Sequence, residues 1–250
     1  MSVCRNRFGD EKSPRHKIAA VATRLRYRGE LLRRDQMDAR IIKAMIATVR
    51  GERQRRQQPL SGEDDDSARD RWMWFDEPFV NELCLVLLVA LWHELERGLV
   101  RFAARSRDDG REIGGKRYKQ NVREAQVDLR KGGGWKRLAE TLKIKSCPGY
   151  TKLEALQFLA NSYKHDPWKD PSRELLQLLK LDANANYARL AESDALRGGL
   201  AVLIGLEAGA DYCEIAERFV DIASDFISDV QKHVELSPIR WGPIPFRPVL

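Results

Sequence analysis

The chain is organised by apolar residues that return every three or four positions, the spacing that gathers them onto one face of an α-helix. The strongest such pattern places Leu83, Leu87, Leu91, Leu95 and Leu99 in one row and Cys84, Leu88 and Trp92 in a second row beside it. Pro78 suits a first helical turn, so a helix is predicted from there to about Arg105, with a face broad enough for a central place in a bundle. A weaker helix is predicted over "YKQNVREAQVDLRK", between the glycine-containing stretches Asp108 to Lys116 and "KGGGWKRL". Short helices follow at Trp135 to Ile144 and at Ser172 to Leu181. Thr151, with Glu154 three residues on, fits the capping-box start of a helix that runs through Leu153, Leu156, Phe158 and Leu159. Two more helices close the pattern. The second of them, Asp211 to about Val234, repeats Ile215, Phe219, Ile222, Phe226 and Val230. Almost nothing alternates with the period of a strand, and the expected fold class is all-α, a helical bundle.

Before this bundle the pattern is broken and basic. A helix is expected from Lys17 to about Arg56, with Leu25, Leu32, Met37, Ile41, Ile42, Met45, Ile46 and Val49 as its apolar stripe. "QQPLSGEDDDSARD", with Pro59, Gly62 and the acidic run Glu63 to Asp66, is expected to be a linker. It divides a basic helical extension, residues 1–70, from a bundle with its tail, residues 71–250. The tail "SPIRWGPIPFRPVL" holds four prolines and cannot be helical. Its Trp, Ile, Phe, Val and Leu residues suit packing along a groove.

Charge sharpens the division. The whole chain carries +7, but residues 1–57 hold 16 Lys/Arg against 6 Asp/Glu, so the other 193 residues are net acidic. Clustered cations bind phosphate by releasing counterions. Arg24, Arg26, Arg28, Arg33 and Arg34 are therefore candidate nucleic-acid contacts, against the plain reading of a solvated helix face. A mean hydropathy of -0.51 and the lack of any apolar run near the roughly 20 residues of a membrane span point away from the bilayer. The opening "MSVCRNRFGDEKSPRHK" has no apolar core of the signal-peptide kind, and a cytoplasmic location is expected.

Little else suggests chemistry. Cys4, Cys84, Cys147 and Cys213 are too scattered for a disulfide framework or a metal site, and "WHELE" is not a zinc-binding His-Glu-x-x-His. "KGGGWK" lacks the Gly-Lys-Ser/Thr ending of a nucleotide loop. No metal or cofactor is expected. Trp92 reads as core, and Trp72 and Trp74 of "WMWF" as a cover over one end of the bundle.

The exception is "ANSYKHDPWKD", where an apolar helix stops. Asn161 and His165 share a helix face, and Lys164 lies three residues from Asn161. Asp166 before Pro167 is biased away from helical geometry, so the helix should end at His165. There the negative end of the helix dipole favours a protonated imidazole. A cationic His beside Lys and an amide can grip phosphate and donate a proton. Lys and His at a helix end also serve to satisfy terminal carbonyls, and spacing alone favours that structural reading.

A helical bundle with a long early helix and a later "ANSYKH" at a helix end resembles the HEPN superfamily, over residues 75 to 235 at most. Many of its members are metal-independent RNases of toxin and antiviral systems. The family motif is Arg, often followed directly by Asn, with four to six residues between the Arg and a His. Asn161 and His165 match the Asn and His, while Ala160 stands where the Arg belongs. The resemblance implies a homodimer whose two motifs form one RNA-cleaving cleft. His165 would be the acid/base, with Asn161 and Lys164 as supporting polar groups, and Lys164 or Arg173 would supply the missing charge at the phosphate. The alternative is a non-catalytic interaction or regulatory module, binding a protein partner or nucleic acid through its basic N-terminal segment. Ala160 favours that alternative.

Overall fold

A computed structural model describes residues 39–106, 116–130, 134–165, 171–187 and 189–233. These described residues are helices and turns with no strand, an all-α bundle. In chain order the helices are α1 (Ala39–Gln57), α2 (Asp65–Arg71), α3 (Glu77–Ser106), α4 (Lys116–Arg130), α5 (Gly134–Leu142), α6 (Tyr150–His165), α7 (Arg173–Leu179), α8 (Asp194–Ile204) and α9 (Tyr212–His233). A π-helical turn, Trp72–Asp76, joins α2 to α3, and a 3-10 turn, Ile144–Ser146, follows α5.

The long apolar helix is central, as its two rows of leucines require. α3 packs against α1, α4, α5, α6 and α9. Leu88, Trp92, Leu95, Leu99 and Phe102 are almost wholly buried along it. Full burial of each such side chain is worth about 1.5–3 kcal/mol before conformational entropy is subtracted. Trp135 of the "KGGGWK" stretch fills the same core. Its ring meets Trp92 edge-on at 5.0 Å and stacks on Tyr150 at 5.5 Å.

The expected boundary at residue 70 does not separate α1 from the bundle. α1 packs on α3 and α9, and its Ile42 and Ile46 are buried. An apolar stripe on an exposed extension would stay in water, whereas here it completes the core. The charges of α1 are placed with it. Lys43 meets Asp221 at 2.6 Å, Arg50 meets Glu217 at 2.8 Å, and Arg53 pairs with Asp211, so the cations of α1 face carboxylates on α9 and at the residue just before it. The expected acidic linker is partly helical as well. Asp64 caps α2 by accepting from the Ser67 N–H at 2.7 Å, which turns the acidic run into a helix start.

Pro78 lies in the first turn of α3, as expected, but the helical path runs into it from α2 through the π turn, which ends two residues earlier and is closed by the Glu77 N–H donating to the Trp72 carbonyl. Proline has no N–H to give and crowds the preceding turn, and a π turn just ahead of it is one way a helix absorbs that. The start of α6 also shifts. Gly149, at φ 86°, precedes Tyr150, and Thr151 lies within the first turn, exposed. The Pro-rich tail and residues Arg24, Arg26, Arg28, Arg33 and Arg34 lie outside the described residues.

Candidate functional site

α6 ends at His165, as the Asp-Pro sequence requires. Its core face is Leu153, Leu156, Leu159 and Ala160, at intervals of three, three and one, all buried. The position that corresponds to the motif Arg therefore points into the bundle: Ala160 is 2% exposed. The next residue around the helix, Asn161, is exposed, and so is Lys164, while Ser162 and Tyr163 are half-buried. The side chain of His165 lies outside the described residues.

Two hydrogen bonds hold this helix end. The Tyr163 hydroxyl donates to the Glu82 carboxylate on α3. Burial, reinforced by that carboxylate, raises the Tyr163 phenol well above its usual range, so it stays a donor. The second bond runs from the Ser172 N–H to Ser162 Oγ at 3.3 Å. Ser172 in turn caps α7, its hydroxyl accepting from the Leu175 N–H at 3.2 Å. Ser172 therefore lies beside the last turn of α6. Arg173, the first residue of α7 and exposed, is thereby brought back to the last turn of α6.

Asn161, Lys164 and Arg173 thus share one end of the bundle, an amide and two cations in reach of solvent. Sequence spacing linked the first two; the Ser162–Ser172 bond adds the third. Neither Glu82 nor the two serines was singled out from the sequence. Ser172 carried a signal, since serine before "RELL" is an N-cap pattern, whereas nothing local linked Glu82 to a tyrosine 81 positions later.

The other polar features stand apart. A groove of about 330 Å³ between α3 and α4 is lined by His93, Glu96, Arg97 and Gln126 among others. Its His93 lies about three turns along α3 from Glu82. His93 Nδ1 sits 3.3 Å from the Glu96 carboxylate, within hydrogen-bonding reach. Among the described residues no three His, Cys, Asp or Glu side chains gather as a metal site. Nor is any helix there long and apolar enough to cross a membrane. No protein-family model, curated protein or solved structure matches the chain.

Proposed function

We propose that the α6 end is the phosphate-contacting site of a HEPN-like protein that binds or cleaves RNA, acting as a homodimer in a prokaryotic defence or toxin setting. The observation that supports this is the return of Arg173 to a helix end where Asn161 and Lys164 are already exposed. Two cations and an amide suit a phosphodiester, with Arg able to hold two of its oxygens at once. In this reading Lys164 and Arg173 replace the motif Arg, Asn161 orients the phosphate, and His165 moves the proton on the ribose 2′-hydroxyl or the leaving oxygen.

The test is a labelled single-stranded RNA incubated with the purified chain in EDTA, with binding followed in parallel. Lys164→Ala and Arg173→Ala are each expected to weaken RNA binding several-fold. His165→Ala should abolish cleavage while leaving binding in place. RNA neither bound nor cut by the wild-type chain would overturn the reading. Light scattering at micromolar concentration checks the dimer.

The buried Ala160 favours the second reading, binding without catalysis. RNA held by Lys164 and Arg173 but never cleaved is its expected result.

A further inference from the structure

The π turn places three consecutive large apolar residues in water. Met73 is 45% exposed, Trp74 71% and Phe75 66%, and Leu60 on the adjoining loop is 58% exposed. Only the residues on either side turn inward. Trp72 is half-buried with the Arg53 guanidinium 5.8 Å from its ring, and Asp76 is buried. Trp74 thus extends outward instead of covering the end of the bundle as the sequence suggested.

The backbone on either side of this patch is tied by hydrogen bonds. Asp76 accepts from Arg56 at 2.5 Å and also from Arg71. Arg71 further donates to Glu63 at 2.9 Å and to the Arg56 and Gln58 carbonyls, which fixes the loop that carries Leu60. Arg56 lies 4.5 Å over the Phe79 ring, one turn beyond Phe75. A patch set in place before its partner arrives avoids much of the ordering cost of binding. Large exposed apolar groups gathered in one place, unlike single ones, mark interaction surfaces.

The charge beside it selects the partner. Residues 63–70, "EDDDSARD", hold five carboxylates against Arg69. Glu63 is occupied by Arg71 and Asp64 by the helix cap, but Asp65, Asp66 and Asp70 are exposed, and none of them forms an ion pair among the described residues. Asp70 lies one helical turn from Met73 and Trp74, and Asp66 one turn before that. We infer that Met73, Trp74 and Phe75, rimmed by Asp66 and Asp70, form a docking surface for a basic protein segment with Lys or Arg flanking an aliphatic or aromatic anchor.

The net sign of the rim, in which Asp65, Asp66 and Asp70 outnumber Arg69, disfavours the other occupants. Anionic lipid and RNA are repelled by unpaired carboxylates, since both are bound through cations. A second copy docking patch to patch would set the same aspartates against each other, because a twofold contact is made by one surface meeting itself. A basic segment alone gains from both halves of the surface. The surface is also independent of the α6 site, so either reading can fail without the other.

The test uses the full chain and a fluorescent synthetic peptide of Leu at helical spacing with Lys elsewhere, beside its Glu-for-Lys counterpart. The Lys/Leu peptide should bind with a micromolar Kd that weakens as salt rises, and the Glu/Leu peptide should not bind. A Trp74→Ser/Phe75→Ser variant should lose affinity at least tenfold, and Asp66→Asn/Asp70→Asn should lose several-fold together with most of the salt dependence. Circular dichroism verifies the fold of each variant, and the aspartate variant retains the test should the aromatic one misfold. Equal binding of both peptides, or affinity untouched by all four substitutions, would overturn the inference. So would self-association lost on Trp74→Ser/Phe75→Ser, which assigns the patch to a second copy. Co-sedimentation of the wild-type chain with phosphatidylglycerol vesicles, lost in the same variant, would assign it to a membrane.

Discussion

Tyr163 and Glu82 share a hydrogen bond between α6 and α3, 81 positions apart in the chain. It anchors the last turn of α6, where the candidate phosphate contacts sit, to the central helix of the bundle. Tyr163→Phe removes the donor and leaves a half-buried carboxylate without its partner. We expect destabilisation of about 1–3 kcal/mol, read as a lower midpoint in urea. Weaker RNA binding in the folded variant should accompany it, because Asn161 and Lys164 lose their fixed support.

Replacing Ala160 with Arg should not restore a motif. The side chain would start from a position only 2% exposed, on the same face of α6 as the buried Leu153, Leu156 and Leu159, so a guanidinium would have to be placed in an apolar core. Overpacking costs about 1–3 kcal/mol and an unpaired buried charge several more, so Ala160→Arg is expected to unfold or barely fold. Thermal unfolding measures this directly. A variant that folds like the wild type and cleaves RNA faster would show that α6 turns to expose position 160.

Stability should fall in acid, for a reason in α1. Glu52 is held at about 2, chiefly by its hydrogen bond from Arg55, with Arg56 adding a second. A carboxyl lowered in the folded state stabilises above its unfolded value near 4.5, and loses that contribution as pH falls towards about 2. Glu63, lowered by Arg71, acts in the same direction. The expected outcome is a urea midpoint that declines below about pH 4.5, with a smaller decline in Glu52→Gln.

Alkali should destabilise as well. Burial raises the phenols of Tyr163 and Tyr212, and Tyr212 donates to the Leu190 carbonyl at 2.7 Å. The folded chain then holds protons that the unfolded chain releases above about pH 10, so stability present below that pH is lost as pH rises. Tyr212→Phe should flatten the loss, followed by circular dichroism between about pH 9 and 11.

Gly149 is the remaining point of leverage. At φ 86° it turns the chain into α6, and a Cβ there would lie 3.3 Å from Ile222 Cγ2 on α9. Gly149→Ala should cost on the order of 1–3 kcal/mol, since it combines a left-handed backbone with a crowded neighbour. The drop in Tm tests it.

The sequence by itself determined the fold class and nearly every helix. Periodicity is a local property: the rows through Leu83–Leu99 and Ile215–Val230 must each bury one face, and Asp-Pro must end α6, whatever lies around them. It equally identified Asn161 and Lys164 as neighbours, because one helical turn places them so. Only the tertiary structure decided which faces were buried and what distant residues met there. Ala160 lies inside because the core stripe of α6 includes it, a matter of how the helix is rotated against α3. Arg173 joined the candidate site through a bond between two serines ten positions apart. Arg50, Arg53 and Arg56 read as part of a basic helical extension until Glu217, Asp211 and Asp76 supplied their carboxylates. Trp74 read as a cover until the π turn directed it into water. In each case the deciding contact spans residues far apart in the chain or depends on helix rotation, and no local pattern encodes either.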